Sequence, residues 1–71
     1  MSGHYRDTQT GSGANFIPKS HSAILINGTS SVTFKDRQGV EFVVTPSVSP
    51  TLLPISVSEQ VTSTTNVVYL A

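Results

Sequence analysis

Residues 24–45 read ILINGTSSVTFKDRQGVEFVVT, and the reading of this stretch decides the fold. Val32 and Phe34 alternate with Thr33 and Lys35, and Val40, Phe42 and Val44 alternate with Glu41 and Val43. A period of two puts each set on one face of a strand. Between the two runs stands Asp36-Arg37-Gln38-Gly39. Asp suits the first position of a type I turn and Gly the fourth, where a left-handed conformation closes a bulged hairpin. The spacing therefore predicts a β-hairpin over residues 32–45 with one apolar face.

Working outward, residues 21–27 read as a strand with Ile24 and Ile26 on one side and Ala23 and Leu25 on the other. Apolar groups on both faces describe a strand covered on both sides or exposed at an interface. Asn27-Gly28 is a turn dipeptide leading towards the hairpin. Beyond the hairpin, Pro46, Pro50 and Pro54 withhold the N–H that ladder pairing needs, so this stretch reads as a loop or a broken edge. Ile55, Val57 and Val61 restore the alternation, with Glu59 on their apolar side at a rim or a bulge. Residues 62–66 form another turn, and Val67-Val68-Tyr69-Leu70 close the chain as a strand apolar on both faces. The pattern is all-β: a small antiparallel β-sandwich or open barrel of about five short strands. The first and last strands lack protective charges, so their edges are expected to be paired between subunits or covered by an arm.

Residues 1–19 are expected to be a flexible, extended N-terminal arm, and residues 20–71 a single small β domain. The segment up to about residue 15 is polar and Gly/Ser-rich, with Tyr5 its only large apolar group, and alone it does not offset its ordering entropy. Phe16-Ile17-Pro18 reads as a latch, seated either on the module's own sheet or on a neighbour.

A chain of 71 residues has room for one domain and contains no cysteine to staple it or to build a thiolate metal site. Docking on a partner or self-association then becomes a source of stability, which favours a homo-oligomer or an assembly component. Four basic and four acidic residues cancel, leaving no basic footprint for nucleic acid. Charged residues make up 11% of the chain, with Ser and Thr filling the polar positions, so its surface has little electrostatic protection against association. The N-terminus has no apolar signal-peptide core, and no run reaches the roughly 18 apolar residues of a membrane span. Synthesis in the cytoplasm and no membrane partner are the expectation.

Chemistry-bearing residues are sparse. His4 and His21 are far apart, and His4-x-x-Asp7 falls short of the ligand set that zinc requires. A serine triad on His21 with Asp36 or Asp7 lacks a nucleophile elbow and the depth for an oxyanion hole. Asp36, Glu41 and Glu59 read as turn or solvent-face charges rather than paired carboxylates. Gly11-Ser12-Gly13 lacks the remaining elements of a phosphate loop, and Lys35 and Arg37 flank Asp36 as a solvated turn. Asn27-Gly28-Thr29 matches a glycosylation triplet but reads as a turn. No catalytic, cofactor-binding or metal-ligating residue is expected.

Two phrases carry a family resemblance: Ser31-Val32-Thr33-Phe34-Lys35-Asp36-Arg37-Gln38-Gly39, and Leu53-Pro54-Ile55-Ser56-Val57 running on to the Thr-rich close that ends at Leu70. Together they resemble small virion structural proteins of tailed bacteriophages, where a G-T-x-x-V-T-F strand precedes an L-P-I-x-V strand. Ser56 stands where those proteins often carry a basic residue. The resemblance covers about residues 28–70 and implies a non-enzymatic, oligomeric particle component located in the virion. Its partners would be the major capsid protein or other virion proteins, in a capsid decoration or cement role. A tail or spike-base component is the alternative within the family, and a small carbohydrate- or host-surface-binding module the alternative outside it, with Tyr5 and Tyr69 as its aromatic candidates. The expected partner-binding residues are Tyr5, Phe16 and Ile17 in the arm, and Leu25, Val68 and Leu70 in the first and last strands.

Overall fold

The computed structural model describes residues 6–71, and over them the chain is all-β. Its strands are β1 (Thr8–Thr10), β2 (Ala23–Ile26), β3 (Val32–Lys35), β4 (Glu41–Val44), β5 (Thr51–Leu53), β6 (Glu59–Gln60) and β7 (Val67–Leu70). They form two antiparallel sheets, a four-stranded one in the order β1-β7-β2-β5 and a three-stranded one in the order β4-β3-β6.

The hairpin forms where the alternation places it. β3 and β4 pair Val32 with Val44, Thr33 with Val43, Phe34 with Phe42 and Lys35 with Glu41. Gly39 N donates to Asp36 O at 3.0 Å, and Asp36 N donates to Val40 O at 2.9 Å. Gly39 adopts φ +84°, the left-handed conformation that a side chain disfavours. The Asp36 carboxylate accepts from Gln38 N at 2.8 Å and from Val40 N at 3.0 Å, so the turn is held by its own first residue.

The sheets stack through the residues that the period of two selects. Ile24, Ile26, Val67 and Tyr69 face Val32, Phe34 and Val57 in one buried cluster, with Phe16, Phe42, Val44 and Leu53 packed at its margin. Phe34 and Phe42 meet at a centroid distance of 5.8 Å.

Three expectations are corrected. The structure has seven strands, not about five. It does not support an extended arm over the described part of residues 1–19: Thr8, Gln9 and Thr10 pair with Leu70, Tyr69 and Val68. Phe16 then bridges Gln60, with Phe16 N to Gln60 O at 2.8 Å and Gln60 N to Phe16 O at 2.7 Å. This segment is polar because main-chain bonds attach it, and such bonds need no apolar periodicity. Third, β2 and β7 are interior strands: β5 covers β2, and β1, which belongs to the N-terminal segment, covers β7, so of the two alternatives for the last strand it is cover by the N-terminal segment that is seen. β5 lies between Pro50 and Pro54 at the sheet's edge, where proline is tolerated.

The alternation beyond Val57 also changes phase. Gln60 is fully buried in place of an aliphatic residue, while Glu59 turns out to meet Lys35, Nζ to Oε1 at 3.9 Å. Gln60 joins the sheets. Its Oε1 accepts from the Tyr69 hydroxyl at 2.6 Å, and its Nε2 donates to Thr62 O at 2.8 Å and Thr64 O at 3.1 Å. A Cβ on buried Gly11 would overlap this amide. Replacing Gln60 by Leu strands a buried hydroxyl and leaves two carbonyls without this donor. We expect a loss of about 2–3 kcal/mol in denaturant unfolding. Gly11→Ala is expected to cost about 1–3 kcal/mol in the same measurement, because the amide has no slack to give.

Candidate functional site

The residues with catalytic potential are committed to structure. His21 is buried, and its Nδ1 lies 2.7 Å from Lys19 O while its Nε2 accepts from Val57 N at 3.0 Å. A carbonyl needs a donor and an amide N–H needs an acceptor, so these partners fix the neutral Nδ1–H tautomer. Neither nitrogen is left to activate a serine or bind a metal. The ring also lies edge-on to Tyr69, with centroids 4.9 Å apart. Asp36 is occupied by its own turn, and Arg37 donates through Nε to Ser56 Oγ at 3.0 Å. Among the described residues, no group of three or more His, Cys, Asp or Glu side chains is placed to hold a metal ion. His4 lies outside the described residues.

A pocket of about 140 Å³ opens beside β1, lined by residues that include Asp7, Gln9, Lys19 and Tyr69. It is smaller than the ~300–1,000 Å³ of ordinary small-molecule sites. Burial pushes the Tyr69 phenol well above its ordinary range and keeps it a neutral donor to Gln60. Tyr69 is therefore core, and it offers no exposed ring for stacking a sugar.

What distinguishes the surface is the placement of charge. Lys35, Asp36, Arg37, Glu41 and Glu59 lie on or beside the three-stranded sheet, and Arg6, Asp7 and Lys19 lie in the N-terminal segment. The four strands of the larger sheet contain no charged residue. Opposite its buried inner face, Leu52 stands across from Leu25, and Leu25 across from Val68, in one row. Leu70 lies two residues along from Val68 on the same face. Leu25, Val68 and Leu70 are half-buried, and Leu52 is 50% exposed. These four side chains form one apolar row without charge on that face.

The sequence-selected partner residues separate accordingly. Leu25, Val68 and Leu70 come together, on a sheet face rather than at edges. Phe16 is half-buried, stacked on Tyr69 at 5.9 Å between centroids and bridging Gln60. Ile17 projects outward, 73% exposed. Tyr5 lies outside the described residues. Leu52, which completes the row, reads as loop in the sequence because of the prolines around it; its signal is the Leu52-Leu53 pair. Comparison with family models, curated proteins and solved structures finds no match to this chain.

If His21 is a structural strut, His21→Ala leaves the Val57 amide unpaired in the interior. A loss of about 1–3 kcal/mol is expected in thermal or urea unfolding, with no change in secondary structure at low temperature.

Proposed function

We propose that this chain is a non-enzymatic structural component of a bacteriophage virion, a decoration or cement protein that docks on the coat lattice. The resemblance of residues 28–70 to small virion proteins suggests the setting. The observation that carries the docking mode is the uncharged face formed by Leu52, Leu25, Val68 and Leu70. Its burial against an apolar surface desolvates no charge, and area removed from water contributes about 25 cal/mol per Å². Rigidity helps as well: Leu25, Val68 and Leu70 stand on interior strands β2 and β7, so little ordering entropy is lost there on docking. The partner is the major capsid protein or another virion protein.

Quantitative peptide mass spectrometry of purified phage particles tests the setting. Under this reading the chain is present at a copy number close to that of the coat protein. A low fixed ratio moves it to a tail or spike base, and absence from particles overturns the virion reading. For the docking face, Leu52→Lys places an ammonium in the apolar row at an exposed position. Attachment to particles is expected to weaken by about tenfold or more, with the unfolding midpoint near that of the parent. Unaltered attachment would rule the face out.

A further inference from the structure

The edges of the two sheets are protected unequally. Phe16 bridges the free side of β6. On β1, the Gln9 side chain accepts from Lys19 N at 2.7 Å. β5 has three residues and lies between prolines 50 and 54. β4 is a four-residue edge with β3 on one side and, among the described residues, no strand on the other. Asp36 and Val40 exchange main-chain and carboxylate bonds across the hairpin. From there the antiparallel alternation aims the N–H and C=O groups of Glu41 and Val43 away from β3. Val40 and Val43 are 58% and 62% exposed, and Glu41 is the strand's single charge. Such an edge is a template for another strand.

The side chains of β4 specify which strand. A two-fold axis through Glu41 would oppose two carboxylates directly, and like charges opposite one another destabilise. An axis through Phe42 would set each Glu41 against an exposed Val43 in the middle of the ladder. An axis through Val43 pairs Val43 with itself on the outer face and Phe42 with Val44 on the inner face. It moves Glu41 to the end of the ladder, opposite Thr45. This last register is apolar along its centre and keeps the carboxylates apart. We propose that β4 pairs antiparallel with β4 of a second copy of this chain, about a two-fold axis at Val43. The product is a continuous six-stranded sheet running through two modules. This names the subunit contact of the homo-oligomer expected of a virion component, and it leaves the uncharged face of the larger sheet free.

The chain has no native cysteine, which makes the test direct. Hydrogen-bonded residues directly opposite in an antiparallel pair have Cα atoms about 5.5 Å apart, within disulfide range. Purified V43C, mildly oxidised, is expected to give a covalent dimer, whereas E41C gives none. Sedimentation velocity is expected to show concentration-dependent dimers of the parent protein. V43K, with like charges directly opposed, should self-associate at least about tenfold more weakly at an unchanged unfolding midpoint. A parent protein that remains monomeric, or a Cys pair that crosslinks only when E41C and V43C are mixed, would overturn the pairing. These readouts use free protein, so their failure leaves particle attachment through Leu52 unaffected, and failure of attachment leaves the dimer standing.

Discussion

The hydrogen bond from the Tyr69 hydroxyl to Gln60 Oε1 ties the two sheets together, and much of the molecule is arranged around it. Gln60 belongs to the smaller sheet and Tyr69 to the larger. A fully buried amide is tolerated only when its partners are supplied, and here Thr62 O and Thr64 O take its N–H groups. Gly11 passes this close because it has no Cβ, and Phe16 bonds the Gln60 backbone while stacking on Tyr69. The N-terminal segment is thus a strap between the two sheets, pairing with β7 and then, through Phe16, with β6.

The distribution of charge gives the surface two characters. The smaller sheet carries Glu41, Lys35 and Glu59 abreast across its outer face, where Lys35 meets Glu59. The larger sheet presents only uncharged residues on its strands. A module of this size, with a core made of a few residues from each sheet, gains stability by covering apolar surface with neighbours. The outer sheet face and the β4 edge are distinct surfaces with distinct chemistry. One offers desolvation of aliphatic side chains, and the other offers main-chain bonds in a register set by Glu41 and Val43.

The hairpin was legible because its information is local. Alternation from Val32 to Val44 and the Asp36–Gly39 turn each specify backbone geometry within a few residues. Leu25, Val68 and Leu70 were legible as two-faced positions, and they do form one surface. Their place in interior strands was not legible, because β1 and β5 complete the sheet and neither advertises itself. Thr8–Thr10 is polar, and Thr51–Leu53 lies between prolines. Phe16 read as a latch seated on the module's own sheet or on a neighbour, and its ring against Tyr69 chooses the module's own sheet.

By itself, then, the sequence determined an all-β module, its central hairpin and turn with one apolar face, and the scarcity of charge. Each of these is written in periodicity or composition over short spans. The tertiary structure decided which strands are interior, that His21 and Tyr69 are structural, and that Gln60 rather than an aliphatic residue fills the inner face of β6. Those outcomes depend on main-chain bonds and buried polar partners brought together from distant positions. Such pairings leave no pattern in the residues that make them.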